Sequence, residues 1–273
     1  MQDVLVPVPE GADATHAMHC AARVAAGLGG RLTGLHPVPV GAPPPSLYDP
    51  GFAAAEWAIV AQREVREANE AGDGFVAWAR GQGLERAKWM ACAGYLPELL
   101  GTAAQWHDLL VLGLERNGED PWSSPAGVAR IVLASPVPCL VVPDGVAVAM
   151  PPATVAIAWN GSMEAIRAVH AALPILRLAR RVVIVSGAPV ENSPMGPRFS
   201  ADAWLAERLP AVERVSLAEG GDTGARLLEQ LQACGAEMLV MGAYGRSRAS
   251  EWLLGGVTRH LLQHADVALL MRH

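Results

Sequence analysis

The sequence predicts an α/β protein built from two tandem five-stranded parallel-sheet domains of doubly wound (Rossmann-like) type, related by a pseudo-two-fold axis. Three observations carry that expectation. Short apolar runs alternate with helical patterns along the whole chain. The runs of the second half repeat those of the first at fixed offsets. Each half closes with the same succession of strand, loop, helix and strand.

Taken in order, strands are expected near 3–8, 31–37, 86–92, 108–112 and 138–142, then near 153–159, 181–186, 211–217, 237–241 and 266–271. Val4-Leu-Val-Pro-Val8 corresponds to Val155-Ala-Ile-Ala-Trp159 at an offset of 151. Asp108-Leu-Leu-Val-Leu-Gly113 corresponds to Glu237-Met-Leu-Val-Met-Gly242 at an offset of 129. The same 129 carries Gly127-Val128 onto Gly256-Val257 and Val137 to Val141 onto Asp266 to Leu270. The difference of 22 residues is expected in the segment Ala53 to Arg80, whose partner near Arg198 to Arg208 is shorter. Helices fill the intervals. The one after Trp159 starts with Ser162 as a cap and Glu164 in its first turn, with Ile166, Val169, Leu173 and Leu176 as its expected apolar stripe. The run Gly27-Leu-Gly29-Gly30 follows a helical pattern and reads as a C-cap and turn rather than a phosphate loop. Strands separated by helices imply right-handed crossovers and a sheet covered on both faces. The proline-rich stretch Pro143 to Pro152 reads as a linker, which divides the chain into domains 1–145 and 152–273.

Composition narrows the function classes. With 51% apolar and 18% charged residues, the chain can bury a substantial core, and disorder is not expected. A net charge of -6 and a pI near 5.7 argue against a broad nucleic-acid surface, although Arg246, Arg248 and Arg259 gather around one loop. Cys20, Cys92, Cys139 and Cys234 form no CxxC pair and read as reduced, mostly buried thiols of a cytoplasmic protein. The N-terminal residues lack a basic n-region and a long apolar stretch, and Gly145 to Trp159 is broken by Pro151-Pro152. Neither a signal peptide nor a membrane span is expected.

The candidate chemistry lies near the C-terminus. Glu237-Met-Leu-Val-Met241 runs into Gly242-Ala-Tyr-Gly245, and after nine residues Gly255-Gly256-Val257-Thr258 opens a helix carried by Val257, Leu261 and Leu262. Glycine at a strand end lets backbone approach a ligand closely. Bare N–H groups at a helix start, with the helix dipole, favour a phosphate. Two readings fit these glycines: an anion cradle for a nucleotide, or a tight crossover packed without side chains.

The spacing Gly-x2-Gly-x9-Gly followed by a small residue resembles the ATP-binding signature of the universal stress protein family. Val155-Ala-Ile-Ala-Trp-Asn160-Gly161-Ser162 is likewise similar to that family's first strand and its nucleotide-contacting turn. Two departures stand out. Gly256 occupies a place where the family usually has Ser or Thr, and Asn160 one where it usually has Asp. The resemblance implies a nucleotide site made by Asn160, Gly161, Gly242, Gly245, Arg246, Gly255, Gly256, Val257 and Thr258. It implies ATP as the ligand, with or without magnesium, and preferred over GTP. It further implies a sensor or regulator with at most slow hydrolysis, working with a protein partner or as a homodimer. The last strands of the two copies are expected to meet edge to edge. A nucleotide-free interaction scaffold is the alternative, and an adenylate-transferring enzyme a more distant one.

The first copy has lost this signature. Gly245, Gly255, Thr258 and Asn160 become Arg116, Ala126, Ala129 and Pro9, while Glu115, Glu119 and Asp120 crowd the loop. Only Gly113 and Gly127 survive, and they are expected to serve the fold. The copy reads as a scaffold or a site for something else. No catalytic set and no Walker A sequence is found. His260 and His264 share the i, i+4 spacing of metal ligands but lack a third partner, so they read as a solvated face.

Overall fold

The computed structural model describes residues 1–9, 14–39, 50–187, 201–209, 211–217, 220–243 and 256–273. The first copy contains β1 (Asp3–Pro7), α1 (His16–Gly27), β2 (Arg31–Val38), α2 (Pro50–Glu70), α3 (Gly72–Gly81), β3 (Ala87–Ala93), α4 (Leu96–Ala104), β4 (Leu109–Leu114), α5 (Pro125–Ala134) and β5 (Cys139–Pro143). The second contains β6 (Thr154–Trp159), α6 (Met163–Leu176), β7 (Arg181–Ser186), α7 (Ala201–Ala206), β8 (Val212–Ser216), α8 (Thr223–Cys234), β9 (Met238–Gly242), α9 (Gly256–His264) and β10 (Ala268–Arg272). Every expected strand is present to within about two residues of its bounds.

The strands form one sheet in the order β3-β2-β1-β4-β5-β10-β9-β6-β7-β8. Within each copy all pairings are parallel. The copies join where β5 and β10 pair antiparallel, with Leu269 opposite Val141 and Met271 opposite Cys139. That seam gives each copy's last strand a partner for edge groups that would otherwise invite aggregation. Because side chains alternate across a strand, each central strand feeds two cores. Val111, Val142, Ile157, Val240 and Leu270 face one layer, and Leu110, Val141, Ala156, Leu239 and Leu269 the other, all essentially buried. Truncating any of these leucines to alanine would cost about 2–5 kcal/mol.

Arginines tie the seam from both sides. Arg116 of the first copy donates from Nε to the Leu262 carbonyl at 3.3 Å and from Nη2 to the Ala265 carbonyl, at the carboxyl end of α9. Arg272 of the second donates to the Ser135 carbonyl at 3.2 Å, just past α5. Each guanidinium satisfies carbonyls that a helix end leaves unpaired.

Three local readings gain detail. Ser162 caps α6 by accepting from the Ala165 N–H at 3.1 Å, as expected. The buried ridge of α6, however, is Ala165, Ala168, Val169, Ala172, Ile175 and Leu176, whereas Ile166 and Leu173 are only half-buried. The apolar stripe read from the sequence is thus rotated, because alanines let the helix sit closer to the sheet than large side chains would. The extra residues of the first copy form α2 and α3 against β3. There Asn69 both donates to and accepts from the backbone of Ala91, and Trp89 Nε1 donates to the Ala68 carbonyl at 2.8 Å. A side-chain amide thereby completes the outer edge of β3. After α1, Leu28 closes the helix and Gly29 takes the left-handed conformation, φ 63°, as the C-cap reading requires. Among the described residues no helix is long and apolar enough to cross a membrane. All four cysteines are free thiols.

Candidate functional site

In the second copy the chain runs one way from β6 to β7 and β8, and the other way to β9 and β10. The reversal lies between β6 and β9, which pair in parallel from Val155–Met238 to Ala158–Met241. A crevice opens outside the carboxyl ends of strands at such a point. Asn160 follows β6 and Gly242 ends β9, so the sheet brings these two expected site residues side by side.

The turn after β6 is built by its own side chains. Asn160 Oδ1 accepts from the Ser162 N–H at 3.0 Å, and Gly161 between them has φ 70°. That conformation strains any residue with a Cβ. Asn160 Oδ1 thus supports the turn, and the residue can still offer a ligand its amide Nδ2 and the second lone pair of that oxygen. Gly242 has a packing role: a Cβ there would lie 2.5 Å from the Ala165 nitrogen and 2.6 Å from the Glu164 carbonyl carbon. The first turn of α6 leans directly on the end of β9, so this glycine is needed for packing whether or not a ligand is bound.

The start of α9 is different. Gly256 is exposed, and a Cβ built on it meets no described residue within 4 Å. Val257 is half-buried, Thr258 is buried and Arg259 is exposed in the same turn. Gly256 is thus not there to relieve crowding from described residues. Gly245, Arg246 and Gly255, with Tyr244 and Arg248, lie outside the described residues. His260 is committed elsewhere: its ring sits 4.7 Å from that of His264, its Nδ1 lies 3.2 Å from Asp222 Oδ2, and Gly224 packs under it. Among the described residues no group of three His, Cys, Asp or Glu side chains is placed to hold a metal.

The equivalent place in the first copy is filled by protein. A Cβ at Gly127 would lie 2.0 Å from the Pro121 carbonyl oxygen and 2.8 Å from Trp122 Cα. The loop 115–124 folds over the start of α5, held by the Glu115 N–H donating to the Ser123 carbonyl at 2.8 Å and by the Trp122 N–H donating to Asp120 at 3.0 Å. Ser124 Oγ accepts from the Gly127 N–H at 3.2 Å and so caps the helix. The phosphate position is closed, as the loss of the signature suggested. Beside this cover the first copy keeps a cavity of about 740 Å³ at the ends of its strands, lined in part by Tyr95, Trp122, Glu115, Asp120 and Asp144. The sequence offered only one clue to it, the aromatic and acidic residues of 115–124, because Tyr95 and Asp144 arrive from separate elements.

Comparisons with known proteins reach the two copies differently. Residues 153–273 match the family model described as the Universal stress protein family. A universal stress protein from Archaeoglobus fulgidus DSM 4304 shares the fold with a TM-score of 0.62 at 16% identity, covering 99% of this chain and 95% of that one. A functionally unknown protein from Pseudomonas aeruginosa PAO1 is similar with a TM-score of 0.58 at 15% identity, covering 99% and 92%. No curated protein sequence matches at a significant level. At these identities the structural neighbours establish the fold of the whole chain. The family match is confined to the second copy, and the structural neighbours show that both copies together have the fold of these proteins.

Proposed function

We propose that the second copy binds ATP or a related adenine nucleotide between the Asn160 turn, the end of β9 and the start of α9, and that the chain acts as a stress-response sensor or regulator rather than an enzyme. The observation that carries this reading is the switch point, where the Asn160 turn and the end of β9 lie side by side at the carboxyl ends of adjacent parallel strands. In the first copy the equivalent helix start, at Gly127, is covered by Pro121 and Trp122 and is closed to a ligand. At the start of α9, first-turn amides and the helix dipole favour phosphate. Arg259 adds exposed positive charge, and the Asn160 amide can donate to a nucleotide oxygen. A regulator needs occupancy to change with nucleotide supply, which such a surface crevice allows.

Mass spectrometry of small molecules released from the purified, denatured protein tests the reading. Adenine nucleotide at one equivalent or less per chain is the expected result. A protein that carries none, and that takes up neither ATP nor its relatives in titration calorimetry, would instead be a nucleotide-free scaffold. Equal affinity for GTP would remove the adenine-selective part of the proposal.

A further inference from the structure

The first copy keeps the location of a ligand site while its charge is wrong for a nucleotide. Its cavity of about 740 Å³ falls within the span of small-molecule sites, roughly 300–1,000 Å³. The floor is apolar, made by buried Leu112, Ile131 and Val142. One wall is aromatic: the Tyr95 and Trp122 rings meet edge to face at 4.8 Å and 88°, and Tyr95 remains 53% exposed. Glu115, Asp120 and Asp144 stand exposed at the rim, and no Lys or Arg is among the described residues that line the cavity. Arg116, the one cation of the loop 115–124, is drawn away to the carbonyls of Leu262 and Ala265. His16 is engaged internally, its Nε2 lying 2.7 Å from the Val146 carbonyl.

We propose that this crevice binds a small organic cation, an amine or quaternary ammonium carried on an apolar body of one or two rings. The apolar floor takes the body, the aromatic faces attract the cation through their quadrupoles, and the carboxylates complement its charge. The same carboxylates repel phosphates, and the capped, covered start of α5 offers phosphates no amides. The two copies would then bind ligands of opposite charge at equivalent places in one fold.

Benzyltrimethylammonium, titrated into the full chain and followed by calorimetry and saturation-transfer NMR, tests this, with benzylsulfonate as an anion of similar size. The cation should bind saturably at one equivalent and more weakly as salt rises, and the sulfonate should not bind. Neutralising the rim with Glu115→Gln and Asp144→Asn together, near-isosteric changes at exposed positions, should weaken the cation roughly tenfold. Tyr95→Ala, also at an exposed position, should weaken it about two- to thirtyfold. Any ATP uptake by the second copy should be unchanged in these variants. Absence of saturable cation binding, equal binding of benzylsulfonate, or unchanged affinity in both variants would overturn the proposal.

Discussion

Gly127 and Gly256 occupy the same position in two copies of one fold, and the described residues surround them differently. At Gly127 a side chain would strike the Pro121 carbonyl oxygen at 2.0 Å, whereas at the exposed Gly256 it would meet no described residue within 4 Å. The sequences here are Ala-Gly-Val and Gly-Gly-Val, nearly the same, yet Gly127 is required by the protein packed over it and Gly256 by no described residue. In the first copy the glycine serves the loop before it: 115–124 folds back as a cover and caps the helix with Ser124.

The largest expected effect is on folding. Gly127→Val should lower the stability of the chain by about 3 kcal/mol or more, because backbone at Pro121 cannot yield cheaply. Gly256→Val should change stability by less than about 1 kcal/mol, since glycine is itself a poor helix former. Urea unfolding of the two variants side by side measures the asymmetry, and equal midpoints would erase it. Gly127→Val is accordingly no silent control for nucleotide binding.

A second contrast is smaller. Gly242→Ala meets the start of α6 at 2.5 Å, while Gly113→Ala approaches Ala17 Cβ at 3.3 Å, a contact that a slight shift relieves. The first should cost about 2 kcal/mol and the second less than about 1 kcal/mol. Thermal melts that show equal losses would mean that the two strand ends are packed alike. At the seam, Arg116→Ala removes charged donors from the α9 carbonyls and should cost about 1–2 kcal/mol. If neither the urea midpoint nor the cooperativity changes, Arg116 does not fasten the copies together.

The smallest effect is on pH dependence. Burial pushes the Cys139 thiol from its ordinary value near 9 up to about 12, opposed by the Ser135 hydrogen bond and the Arg272 charge. The native thiol stays protonated while the unfolded one ionises, so its contribution is complete below about pH 9 and is lost as pH rises towards 12. Cys139→Ala should flatten that part of a stability-against-pH curve. An unchanged slope would mean that the thiol titrates normally.

Much of this architecture is legible in the residues. Nearly continuous apolar runs such as Leu109–Leu114 and Cys139–Pro143, too short for helices of ordinary length, read as strands buried on both faces, and their repetition at fixed offsets discloses the duplication. The Asn160 turn and the end of β9 converge through topology, which sequence order already implies. The facing of α6 was not legible, because a stripe of alanines carries little hydrophobic signal beside Ile166 and Leu173. Nor was the packing role of Gly242, which depends on how closely α6 approaches. The first-copy cavity was hidden because Tyr95, Trp122 and Asp144 come from separate elements and share no motif. The seam arginines were equally hidden, since Arg116 bonds carbonyls 146 and 149 residues away.

The division of labour between the copies is tested most directly by counting nucleotides. Calorimetric titration of ATP into the wild-type chain, Gly256→Val and the Glu115→Gln, Asp144→Asn pair should give one site in the wild type and in the first-copy variant. Gly256→Val should lose one or two charge-assisted hydrogen bonds at about 1.5–3 kcal/mol each, or roughly ten- to ten-thousandfold in affinity. Two equivalent sites per chain, or wild-type affinity in a folded Gly256→Val protein, would contradict the assignment of the nucleotide to the second copy.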